Sequence, residues 1–125
     1  MTIEPSCPAL VILDDDAFRR SLVATLDLRH FSVTFLADGS AALEVLRERA
    51  SAFRVIVIGI DVEGGKGLEA LRYLEQHRDA VDAAVIIVGE PGPRLRTFAS
   101  WADEILQRPV DPDYVATRAR MYCNG

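Results

Sequence analysis

Arg54-Val55-Ile56-Val57-Ile58-Gly59-Ile60-Asp61 is the stretch on which the reading of this chain turns. Its four consecutive β-branched residues, 55–58, follow a charge and precede the loop Glu63-Gly64-Gly65. That is the pattern of a strand buried on both faces, as in the middle of a parallel sheet. Open parallel sheets bind and react at the carboxyl ends of their strands. Here that end carries Gly59, a residue with no side chain to react.

Working outward, Ala9-Leu10-Val11-Ile12-Leu13 is a second buried strand, and it runs into Asp14-Asp15-Asp16. Helical spacing begins at Ala17, with Phe18, Leu22 and Leu26 on one stripe and Asp16 as the N-cap. Phe31-Ser32-Val33-Thr34-Phe35-Leu36 alternates as a half-buried strand, and Asp38-Gly39-Ser40 turns into a helix over 41–49. Beyond the glycines, 67–77 carries Leu68, Leu71 and Leu74 at helical spacing, and Ala83-Ala84-Val85-Ile86-Ile87-Val88 is an apolar strand ending at Gly89. Glu90-Pro91-Gly92-Pro93 then breaks the pattern, so only residues 94–101 remain for a short or partly unwound fourth helix. Glu104-Ile105-Leu106-Gln107 is a fifth strand, and a last helix starts at Asp111 or Pro112 with Val115, Ala119 and Tyr122 inward. Five strands alternating with helices, joined by right-handed crossovers, predict one α/β domain: a doubly wound, five-stranded parallel sheet. The domain is expected over 9–122, with tails at 1–8 and 123–125.

The chain has 125 residues, half of them hydrophobic, which suits one packed core and excludes disorder. The net charge of −5 argues against nucleic acid and anionic membrane as partners. No apolar run approaches the ~20 residues of a membrane helix, and 1–8 holds Glu4 and two prolines, unlike a signal peptide. A cytoplasmic protein is therefore expected. Cys7 and Cys123 stand near opposite ends in no metal-ligand or CxxC spacing, and read as free thiols in a reducing compartment. His30 and His77 are isolated at helix ends and read as structural.

Three adjacent aspartates repel one another unless something neutralises them. The run fits a Mg²⁺ site, since that ion takes hard oxygen ligands from carboxylates and water. It fits equally an acidic helix-capping loop. The run alone does not separate the two.

The wider pattern does. Leu10-Val-Ile-Leu-Asp-Asp-Asp16 with Arg20 and Leu22, then Ala37-Asp38-Gly39-Ser40-Ala41-Ala42-Leu43, Gly67-Leu68-Glu69-Ala70-Leu71, and 102–109 (Ala-Asp-Glu-Ile-Leu-Gln-Arg-Pro) resemble, in order and spacing, the motifs of response-regulator receiver domains. The resemblance covers 10–121. It implies a flavodoxin-like sheet in the order 2-1-3-4-5, with Asp14, Asp15 and Gly59 meeting at one edge. In that family a carboxylate at the end of the third strand takes a phosphoryl group while first-strand acids hold Mg²⁺. A lysine before a cis proline and a hydroxyl on the fourth strand contact the phosphoryl group, and an aromatic on the fifth strand turns inward.

Position by position, this chain keeps the frame and loses the reaction. Gly59 stands for the acceptor, Gly89 for the hydroxyl, Ile105 for the aromatic and Arg108 for the lysine; Asp14, Asp15 and Pro109 match. The resemblance implies a cis bond before Pro109. The expected product is a degenerate receiver, not an enzyme: a signalling module with no cofactor that binds a protein partner or output domain independently of phosphorylation, with homodimerisation possible. Arg108 is expected to pair with Asp15 in place of metal and phosphate. Residual Mg²⁺ binding at Asp14 and Asp15 is expected to be weak. The partner face implied by the family places Phe98, Trp101, Ile105 and Tyr114 together, with Trp101 exposed and Phe98 filling the core as its bland alternative. The competing reading is an active receiver phosphorylated on Asp61, with Mg²⁺ on Asp14 and Asp15.

Overall fold

The structure is a computed structural model and describes residues 6–60 and 66–123. Five strands, β1 (Cys7–Ile12), β2 (Phe31–Leu36), β3 (Val55–Gly59), β4 (Ala84–Gly89) and β5 (Glu104–Gln107), form one parallel sheet in the order β2-β1-β3-β4-β5. Between and after them run α1 (Asp16–Leu28), α2 (Gly39–Arg49), α3 (Lys66–Gln76), α4 (Pro93–Arg96) and α5 (Pro112–Cys123). The expected doubly wound architecture is present.

The alternation of side chains along each strand divides the core in two. Leu10, Ile12, Ile56, Ile58, Val85 and Ile87 point to one face, where they meet Leu46 of α2 and Leu71 and Leu74 of α3. Val11, Val55, Val57, Ile86 and Val88 point to the other, against Leu22 and Leu26 of α1 and Val115 and Ala119 of α5. Every residue of β3 and β4 is buried, so these two strands are apolar without interruption. Fully burying one such aliphatic side chain is worth roughly 1.5–3 kcal/mol.

Two polar clusters tie the layers at the rims. Arg29 joins α1 to α5 through Asp113 Oδ1 at 3.1 Å and Thr117 Oγ1 at 2.9 Å. Arg78, just after α3, donates to the carboxylate of Asp103 and to the Ala83 carbonyl at 2.9 Å, while Asp103 Oδ2 accepts the Val85 N–H at 2.7 Å.

Three expectations need correction. Asp15, not Asp16, is the N-cap of α1: its carboxylate accepts the Phe18 N–H at 3.1 Å, whereas Asp16 is inside the helix and pairs with Arg19 and Arg20. The cysteines are not free: Cys7 and Cys123 form a disulfide with Cα atoms 5.8 Å apart, across a sequence separation of 116. The reason is topological. β1 begins at the amino edge of the sheet, and α5 runs back to that same edge. Trp101 is half-buried rather than exposed, packing edge-on to Phe98 at 6.1 Å against the α2/α3-side core. Phe98 is a core residue, 9% exposed, in line with the core-filling reading.

The fourth connection is short, as the prolines foretold. α4 has four residues, and beyond it the N–H groups of Phe98, Ala99 and Trp101 bond three residues back, to Leu95, Arg96 and Phe98, in a tightened, partly unwound turn.

Candidate functional site

The carboxyl ends of β1, β3, β4 and β5 converge on the edge where the receiver chemistry would take place, and each chain segment there is fixed by a backbone bond. The Leu13 N–H donates to Leu36 at 3.2 Å, Ile60 N–H to Val88 at 3.1 Å and Arg108 N–H to Gly89 at 2.9 Å. Register pairs Gly59 with Val88 and Gly89 with Gln107, so both glycines lie level at the rim. The bond between Arg108 and Pro109 is cis, as the resemblance implied.

The two glycines differ in what surrounds them. A Cβ on Gly59 would stand 3.1 Å from Leu13 Cδ2 and 3.8 Å from Arg108 Nη2. The place of an acceptor side chain is therefore roofed by a flexible leucine tip and faced by a guanidinium. A Cβ on Gly89 would fall 2.6 Å from Ile60 Cγ1 and 2.7 Å from Cδ1, inside contact distance. Ile60, 4% exposed, has taken the volume a fourth-strand hydroxyl residue would need. Sequence reasoning missed Ile60 and Leu13. The available signal was volume: two glycines at adjacent buried strand ends leave space that a neighbour has to fill.

Arg108 reaches in from the loop after β5, and its Nε and Nη2 are buried without a hydrogen-bond partner. It forms no ion pair with Asp15 among the described residues, which corrects the expected pairing; the Asp15 carboxylate faces its own helix instead. The two residues do share a cavity of about 340 Å³, lined also by Phe18, Glu90, Pro109 and Val110. Glu90 is a further residue the sequence did not single out. Asp14 is half-buried, and Arg19 donates from Nη1 to the Leu13 carbonyl at 2.9 Å, taking up one oxygen at the end of β1. Asp61 lies outside the described residues.

Mg²⁺ would need several hard oxygens converging on one point. Among the described residues no group of three His, Cys, Asp or Glu is placed to hold a metal ion, Asp15 is committed to a cap, and a guanidinium faces Gly59. The described residues alone do not make up that set.

On β5 and α5, Ile105 is half-buried against the core, Tyr114 is 52% exposed, and Met121, two turns further along the helix, is 58% exposed. Below them, Glu104 accepts from the Arg118 guanidinium and from the Tyr122 hydroxyl at 3.0 Å. Burial first, and the Glu104 carboxylate second, push the Tyr122 phenol above its usual range; the hydrogen bond to Glu104 likewise raises Arg118. His77 stacks on Tyr73 with ring centroids 4.1 Å apart, a contact that closes the end of α3.

A family model described as "Response regulator receiver domain" matches residues 9–120. The transcriptional regulatory protein SrrA of Staphylococcus aureus is 24% identical over 111 residues, covering 89% of this chain and 45% of its own length. The chain thus spans a little under half of the curated relatives it matches. A CheY-like receiver protein from Methanospirillum hungatei superposes with a TM-score of 0.81 at 19% identity, over 95% of this chain and 94% of its own. The receiver domain of Francisella response regulator 1452 gives 0.80 at 20% identity, over 95% and 98%. With the family model spanning most of its length and the five-stranded sheet in the receiver order, the chain belongs to the response regulator receiver domain family.

Proposed function

We propose that this receiver signals without being phosphorylated, as a protein-interaction module of a two-component pathway. Receivers of this family work by engaging partner proteins or output domains rather than by turnover. One observation carries the reading: Gly59, which the family's motifs align with the acceptor, has no side chain, and a Cβ there would stand 3.1 Å from Leu13 Cδ2 and 3.8 Å from Arg108 Nη2. Glycine offers no nucleophile, and the rest of the pocket supports the same conclusion. Ile60 fills the space beside Gly89, so a hydroxyl residue could enter only by displacing it. Ile105, half-buried on β5, cannot make the large rotation of an aromatic ring. A conformational equilibrium moves only under a ligand that binds its two states differently, and the ligand in this reading is the protein partner itself. Tyr114, 52% exposed, is the accessible member of the partner face.

Incubation with a small-molecule phosphodonor and Mg²⁺, followed by intact-mass measurement, tests the proposal. The expected mass is unchanged. A stoichiometric phosphoryl adduct mapping to Asp61 would replace this reading with that of an active receiver.

A further inference from the structure

The disulfide stands at the amino edge of the sheet, at the opposite end of the strands from the candidate site. We propose that Cys7 and Cys123 are a redox-active pair, opened by dithiols and closed by low-molecular-weight disulfides, which sets the position of the last turn of α5. The inference holds whether or not the domain is phosphorylated, and rests on the expectation of a reducing compartment, where persistent bridges are rare and those that form are usually transient or redox-sensing.

The two halves of the bridge are held unequally. Cys7 is 6% exposed and is the first residue of β1, in register with Phe31, with its N–H bonded to the His30 carbonyl at 3.2 Å. Cys123 is half-buried at the end of α5; its carbonyl accepts from Arg54 Nη2 at 3.3 Å. The half-buried cysteine therefore belongs to the helix and the buried one to the sheet. Opening the bridge leaves the rest of α5 in place, because Val115, Ala116 and Ala119 stay in the core and Arg29 still holds Asp113 and Thr117. What loses its tether is the final turn. That turn includes Tyr122, whose hydroxyl bonds Glu104 on β5, next in sequence to Ile105.

The chemistry balances as a two-electron exchange. A dithiol's thiolate bonds to Sγ of Cys123, the S–S bond breaks, and its electron pair passes to the Cys7 sulfur, which takes a proton from water. The second thiol, losing its proton, attacks the mixed disulfide and releases Cys123 as thiolate, which is reprotonated. The dithiol is oxidised to its disulfide. Oxidised glutathione reverses the sequence and leaves as two molecules of reduced glutathione.

The test equilibrates the purified chain in glutathione buffers of graded ratio, traps free thiols with a maleimide, and follows amide hydrogen exchange in the same samples. The expected result is a bridge that passes from mostly closed to mostly open within the series. Exchange at 119–123 should then rise at least tenfold in the reduced form, with β3 and β4 unchanged. A C7S/C123S variant should reproduce the reduced pattern. A bridge still closed at a hundredfold excess of reduced glutathione overturns the proposal. So does exchange unchanged on reduction, and so does global unfolding of the reduced chain or the variant, which would make the bridge a structural staple.

Discussion

A glycine is usually read for its backbone, but Gly59 and Gly89 matter for what stands in the volume they leave. At Gly59 the nearest obstacle is the tip of Leu13, which can yield a few tenths of an ångström, and the next neighbour is the unpartnered Nη2 of Arg108. Gly59→Asp should therefore fold, its carboxylate meeting a buried donor that has no acceptor, with a stability change within about 1 kcal/mol since a new buried ion pair costs nearly what it returns. At Gly89 the obstacle is the body of Ile60. Gly89→Thr should lose about 1–3 kcal/mol by overpacking. Urea unfolding of both variants checks the contrast. Adding Ile60→Ala to Gly89→Thr should recover part of the loss, and a double-mutant cycle showing no coupling between 60 and 89 would contradict the contact.

Among the elements, α1 and the β5–α5 pair carry interactions whose loss has a readable sign. Asp15 serves α1 as a cap, so Asp15→Ala should cost about 1 kcal/mol while Asp15→Asn, which caps equally well, should cost little. Thermal melts of the two variants decide it; equal losses would mean that the charge matters rather than the cap. The Glu104–Tyr122 bond predicts a pH dependence. The folded-state phenol titrates above its unfolded value, pushed there by burial and by Glu104. The native state thus holds its proton longer than the unfolded one. The associated stability is complete below about pH 10, the unfolded tyrosine value, and is lost as pH rises through the higher folded value. Tyr122→Phe should remove this alkaline loss from the stability profile and, by breaking one hydrogen bond, cost about 1 kcal/mol at neutral pH. A mutant whose alkaline decline matches the parent would show that Tyr122 is not the responsible group.

At the scale of the molecule, the frame was legible in the sequence where a strand announces itself twice, as β3 does by an unbroken β-branched run and by the helix-period leucines that follow. Val55-Ile56-Val57-Ile58 and Leu68, Leu71 and Leu74 fix β3 and α3 without knowledge of any partner. The short α4 was legible for a different reason, since Pro91 and Pro93 remove donors the chain cannot replace. The site was legible only in its absences. Glycines at 59 and 89 state what is missing, but that Ile60 fills one gap and Arg108 faces the other depends on the packing of segments far apart in sequence. The Cys7–Cys123 bridge was illegible for the same reason: a separation of 116 residues carries no distance until the topology returns α5 to the edge where β1 starts. Trp101 misled because an aromatic near a turn reads as an anchor, whereas the unwound segment after α4 folds it, with Phe98, back over the sheet.

The brevity of α4 has a consequence for shape. With four residues of helix in α4, α1 is the neighbour of α5 that matches it in length. Tyr114 and Met121, seven positions apart, share one stripe of α5 and both project outward. The profile offered is a crest rather than a trough between two cylinders. A mate that settles on it has to supply the hollow.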